Sequence, residues 1–120
     1  MNKIQNSKQY DLEDRTYKFA DDCRNFIKQI KKDISNIDDC KQLVRSSGSV
    51  AANYIEANES LSKRDFQMRI KICRKEAKES ELWLKLLYFD NLYLNKIKVK
   101  LVNESIELRK IFGSIVEKCK

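Results

Sequence analysis

The chain has 120 residues, with 25 Lys or Arg, 18 Asp or Glu, no His, no Pro and a net charge of +7. That length makes one domain, residues 1–120, able to bury roughly two thirds of its unfolded surface; no run nears the eighteen or so apolar residues of a membrane span, and the opening MNKIQNSKQYDLEDR lacks a signal-peptide core, so a cytoplasmic protein without membrane association is expected. With His absent and no Gly-rich phosphate loop, metal-ligand cluster or paired nucleophile, the sequence predicts neither an enzyme nor a bound cofactor, and no catalytic or metal-binding residue is assigned.

In chain order, Leu12, Thr16, Phe19, Cys23, Phe26, Ile30 and Ile34 recur at steps of four and three, which predicts helix 1 from about Asp11 to Ser35. Asp38 or Asp39 can cap the next helix. Helix 2 carries one stripe of Leu43, Ser47, Val50 and Tyr54 and an adjacent one of Val44, Gly48, Ala51 and Ile55. NESLSKRD then reads as a loop, with Ser62 three residues before Asp65 as a capping-box-like start. Helix 3 shows Phe66, Ile70, Cys73, Ala77, Ser80, Leu84 and Leu87. After DNLYLN, helix 4 follows with Leu94, Ile97, Leu101, Ser105, Leu108, Phe112, Ile115 and Cys119. No strand pattern competes. Four helices of roughly 20 to 25 residues joined by short connections predict an all-α, antiparallel up-down-up-down four-helix bundle. The four cysteines, Cys23, Cys40, Cys73 and Cys119, fall on or begin apolar stripes and show no C-x-x-C spacing, so buried reduced thiols are expected.

Between Gln42 and Asn58 only Arg45 and Glu56 are charged, against about six expected from the chain average. Such a helix is covered on more than one side. Tight packing within one bundle accounts for that, and so does a sandwich between the bundle and another subunit, with Ser47, Gly48 and Ala51 permitting close approach. Helix 3 favours the second arrangement, because Met68, Ile72, Trp83 and Leu86 form an apolar stripe beside the core stripe that one core does not need. These seven residues are the candidate oligomer interface.

The charge is unevenly placed. Residues 1–60 hold ten basic and ten acidic side chains, whereas residues 61–120 hold fifteen and eight. In KRDFQMRIKICRKEAK, residues 63–78, Lys63, Arg64, Lys71, Arg74, Lys75 and Lys78 stand away from the core stripe. An antiparallel bundle would bring Arg109 and Lys110, with Lys118 and Lys120, to the same side. This is a candidate phosphate-binding surface for RNA or DNA, salt-dependent and weakly sequence-specific; a merely solvated face is the plain alternative. Glu56, Glu76 and Glu79 could meet as a carboxylate cluster, but di-metal bundles pair Glu with Glu-x-x-His, and no His is present.

RSSGSVAANYIEAN followed by SKRDFQMRIKICRKEAKESELWLKLL resembles the four-helix-bundle proteins encoded within intervening sequences of bacterial 23S ribosomal RNA genes. Arg45, Ser47, Ser49, Val50, Asn53, Ile55 and Glu56 stand at or near the first part of that family's pattern. Phe66, Ile70, Ala77, Ser80 and Trp83 echo the second, with Glu76 and Glu79 departing from the usual acidic spacing. The resemblance implies an antiparallel four-helix bundle that assembles as a homopentamer and has no established enzyme activity. It also implies kinship with a retroelement accessory protein that binds a reverse transcriptase and nucleic acid. Two functions from different classes follow: an oligomer that binds nucleic-acid backbone, or an oligomeric scaffold that docks a protein partner, with nucleic acid incidental.

Overall fold

The computed structural model describes the backbone of residues 3–120 and the side chains from Leu12 onward. Four helices follow one another, α1 (Lys3–Lys28), α2 (Ile37–Asn58), α3 (Lys63–Leu86) and α4 (Leu92–Lys118), and there is no strand among the described residues. Each helix packs against its neighbours in sequence, and α4 closes the ring against α1. Every connection is short, so neighbours run antiparallel. Between α2 and α3, Ser46 meets Ser80 while the later Asn53 meets the earlier Arg69. Between α3 and α4, Glu81 meets Arg109 while the later Lys85 receives the earlier Lys98. Arg15 of α1 reaches Glu104 of α4 with two hydrogen bonds of 2.8 Å. The result is an up-down-up-down bundle 48 Å long.

The heptad positions meet in the centre. Phe19, Phe26, Leu43, Val50, Ile70, Leu84, Leu108 and Phe112 are fully buried, and Thr16, Ser47, Ser80 and Ser105 of the same stripes are buried with them. Ser80 Oγ donates to the Glu76 carbonyl at 2.9 Å, which satisfies its hydroxyl in the interior. Its approach to Ser46 Oγ, 2.7 Å, requires small side chains on both helices.

The termini of the elements differ from the spacing in three places, the first being the start of helix 1, which lies at Lys3 and not near Asp11. Helix 1 ends at Lys28, not near Ser35, and Ile34 is 97% exposed rather than in the core. The cause is Asp33, whose Oδ1 accepts from the Ser35 hydroxyl at 2.7 Å and from the Ser35 and Asn36 backbone N–H groups. An Asp that bonds the following backbone closes a turn in place of a helix. The Lys32 ammonium donates to the Ile27 carbonyl, covering the end of α1. Neither Asp38 nor Asp39 caps α2; both lie inside its first turn. Asn36 occupies the cap position, but its amide clamps the opposite loop, donating to the Tyr88 carbonyl at 2.7 Å and accepting from Tyr88 N–H at 3.0 Å. The Ser62 start of α3 is as expected, with its hydroxyl accepting from Asp65 N–H at 3.0 Å.

Cys23, Cys40 and Cys73 are buried free thiols; Cys119 is only half-buried. Burial pushes the Cys23 and Cys73 thiols up to about 12, so both stay protonated at neutral pH. No described helix is long and apolar enough to cross a membrane.

Candidate nucleic-acid interface

Arg74, Lys78 and Lys85 are spaced at i, i+4 and i+11, which places them on one face of a helix with 3.6 residues per turn. That face looks toward α4. Because α4 runs antiparallel, Arg109, Lys110 and Gly113 arrive beside it, and an open groove of about 910 Å³ forms between the two helices. Its cations are Arg74, Lys75, Lys78, Lys85, Arg109 and Lys110; Glu79, Glu81, Leu82 and Gly113 complete the lining. Five of the eight basic residues expected from the sequence are therefore brought together. The other three, Lys63, Arg64 and Lys71, are exposed on the N-terminal part of α3 and do not line the groove. Lys85 was legible about two turns further along the same stripe. Leu82 and Gly113 carry no charge signal.

The two acids of the groove are already engaged. Glu81 pairs with Lys85 at 2.7 Å and lies 3.5 Å from Arg109. Glu79 turns to the other side of α3 and bonds Arg45 at 3.1 Å. Arg74, Lys75, Lys78 and Lys110 make no ion pair among the described residues, so four cations stand uncompensated along one groove. Lys98 fixes the far end of α3 by donating to the Lys85 and Leu87 carbonyls at 3.1 and 2.8 Å, which caps a helix C-terminus with a cation. Burial lowers the Lys98 pKa.

On the opposite flank of α3 lies a second ionic cluster. Arg45 grips Glu76 with bonds of 2.9 and 3.2 Å, and Glu76 is only 6% exposed. Burial raises the Glu76 pKa more than any one neighbour lowers it, but hydrogen bonds from Arg45 and other neighbours, with the Arg45 charge, together outweigh it and the carboxyl sits below its usual range. With Arg45 closing it, this cluster ties α2 to α3. Among the described residues no group of three or more His, Cys, Asp or Glu could hold a metal.

The seven candidate interface residues divide. Ser47 is buried inside the subunit, and Gly48 lies under the guanidinium of Arg24 from the chain's own α1. Arg24 donates to the Ala20 carbonyl at 3.0 Å, the Val44 carbonyl at 3.2 Å and Ser47 Oγ at 3.4 Å. The small residues at 47 and 48 thus make room for α1. Ala51 is half-buried, beside Ile55 at 51% exposure. On α3, Ile72 and Trp83 are half-buried, with Trp83 packed on the edge of the core. Met68 at 57% and Leu86 at 52% are exposed, as is Leu82 at 47%. The apolar stripe of α3 is therefore part core margin and part open surface.

A family model described as 23S rRNA-intervening sequence protein matches residues 8–114. A crystal structure from Bacteroides thetaiotaomicron VPI-5482, of a protein with unknown function from the S23 ribosomal protein family, is similar with a TM-score of 0.74. It is 31% identical, and the match covers 88% of this chain and 97% of that one. No curated protein matches the chain.

Proposed function

The chain belongs to the 23S rRNA-intervening sequence protein family, and from that membership and the α3–α4 groove we propose a non-enzymatic protein that binds nucleic-acid backbone and works as an oligomer. The observation that carries the reading is the set of four cations, Arg74, Lys75, Lys78 and Lys110, left unpaired in a groove whose two acids are taken by other partners, Glu79 by Arg45 and Glu81 by Lys85 and Arg109. Like charges held together on a rigid scaffold repel one another, so local stability does not account for them. Phosphates do. Contact with four phosphates releases condensed counterions, and affinity then falls by about 50-fold to 150-fold between about 50 and 200 mM salt, depending on whether one or two strands are bound.

A titration with RNA at those two salt concentrations tests the reading. Charge reversal at Lys75 and Lys78 should abolish most of the salt dependence; reversal at Lys28 and Lys31, exposed on or just past the end of α1, alters the net charge equally and should leave most of it. Equal effects from the two pairs would return the groove to a solvated face.

Self-association is supported by the charge-poor α2 and by the open apolar row Met68, Leu82 and Leu86 on α3. A ring, a pentamer in the resemblance, repeats the groove and lets weak phosphate contacts add on one nucleic acid. The same apolar row also supports the second reading, a scaffold that docks a protein partner. Light scattering decides whether the row is taken by another copy of the chain: a 14.2 kDa particle at micromolar concentration removes the oligomer.

A further inference from the structure

We infer that the α3–α4 groove seats the sugar–phosphate backbone of a double helix, without reading sequence, in preference to a single strand; this rests on the polyanion reading above. Its lining consists of six cationic side chains with their aliphatic stems, the engaged acids Glu79 and Glu81, Leu82 and Gly113, with no aromatic, Asn or Gln side chain. Proteins that favour single strands stack the bases on aromatic rings, and sequence readers place amide or guanidinium forks on base edges. The first element is missing here, and of the two arginines Arg109 stands beside an acid while the stem of Arg74 passes Gly113. Arg109 lies 3.5 Å from Glu81, and a Cβ on Gly113 would sit 3.8 Å from Arg74 Cδ.

What remains is charge and shape. A duplex carries about one negative charge per 1.7 Å of axis, roughly twice the density of one of its strands. Arg74 and Lys85 are eleven residues apart, about 16 Å along α3, a length over which one strand of a duplex presents about five phosphates. Lys110 and Arg109 supply cations from the second wall. A duplex brings those phosphates already ordered, whereas a single strand must be straightened against its own conformational entropy. Arg109 has a buried Nε without a hydrogen-bond partner and a long contact to Glu81, so it loses little by turning toward a phosphate. Gly113 leaves the wall of the groove open, since a Cβ there would meet only the Arg74 stem at ordinary contact distance.

The test is fluorescence anisotropy with an RNA duplex of about 12 base pairs, short enough to occupy one groove, and with one of its strands made unable to pair. For four phosphates the counterion slopes are about −3.6 for the duplex and −2.8 for the strand, which favours the duplex about six-fold at 0.1 M salt. A DNA duplex should bind within a few-fold of the RNA duplex, because the two acids that could accept from a 2′-hydroxyl, Glu79 and Glu81, are already bound to Arg45 and Lys85. Gly113→Leu, which fills the groove at unchanged charge and improves helix propensity, should weaken duplex binding several-fold while circular dichroism stays unchanged. A strand that binds as well as the duplex, with salt dependence intact, overturns this inference and leaves the polyanion reading standing. No salt-dependent binding to either overturns both.

Discussion

Gly48→Ala separates packing within the subunit from packing between subunits. A Cβ built on Gly48 lies 2.9 Å from Nη2 of Arg24, closer than two unbonded heavy atoms settle, so the guanidinium must shift. The Nη2 bond to the Val44 carbonyl, already 3.2 Å, is the first to be lost. A hydrogen bond from a charged donor contributes about 1.5 kcal/mol at the lower end of its range, and less when half-exposed, so the loss is about 1 kcal/mol. Replacing a helical Gly by Ala gains about 0.8–1.0 kcal/mol. The two offset, and Gly48→Ala alone should change stability by less than about 0.5 kcal/mol. In an Arg24→Ala background only the gain remains, about 1 kcal/mol, or about 4 °C in Tm for a domain of this size. Urea denaturation of the four proteins of the cycle measures the coupling, about 1 kcal/mol. A gain equal in both backgrounds would refute the reasoning, and dissociation of an oligomer by Gly48→Ala without loss of subunit stability would move Gly48 to an interface.

Glu76→Gln should cost about 1–2 kcal/mol at pH 7, below the figure for a wholly buried pair because Arg45 is half in solvent. Since the folded carboxyl lies below its usual range, its contribution is complete above the unfolded value of about 4.3 and disappears as pH falls through the folded one; denaturation curves of the two proteins should converge below about pH 4. Met68→Glu with Leu86→Glu should leave the helical signal unchanged and reduce the particle to a monomer. Trp83→Glu, which places a charge against the core margin, should lower helicity and assembly together, so circular dichroism beside light scattering distinguishes the two variants. Toward a disulfide reagent the native protein should show one fast thiol, Cys119, and four after unfolding, because Cys23 and Cys73 are held as neutral thiols by burial.

The bundle was legible because its signal is repeated. Each stripe samples the 3.6-residue period several times, from about three turns in helix 2 to about seven in helix 4, and one misplaced member, such as Ile34, does not alter the fold. Boundaries rest on single side chains, and there a competing bond decides. The period continues through Ile30 and Ile34, yet Asp33 closes a turn with its own carboxylate. The amide of Asn36 serves a loop fifty-two residues away, which no local pattern reveals. The groove was half legible for the same reason. Charge counting located Arg74, Lys75 and Lys78, and the antiparallel topology brought Arg109 and Lys110 to them. It also gathered Lys63, Arg64 and Lys71, since a count over a segment does not say which residues a neighbouring helix flanks.

The residues that carry the family resemblance and those that line the groove are different sets, and this bears on what membership implies. Arg45 holds Glu76 and Glu79, Ser47 is buried against α1, Asn53 bonds Ser49 and Arg69, and Ser80 meets Ser46. All four fix how α2 sits in its own bundle, so a match to them predicts the fold and says little about a ligand. Arg74, Lys75, Lys78 and Lys110 lie across α3 from that cluster and stand outside the matching positions. The two sides meet at Glu79, which lines the groove yet is drawn to Arg45. Arg45 thereby removes from the groove an acid that would oppose phosphate. Arg45→Gln should free that carboxylate and weaken nucleic-acid binding by about one phosphate contact, a loss of about one unit in the salt slope, although Arg45 itself lies outside the groove. An unchanged slope would mean that Glu79 stays turned away on its own and that the packing cluster and the groove are independent.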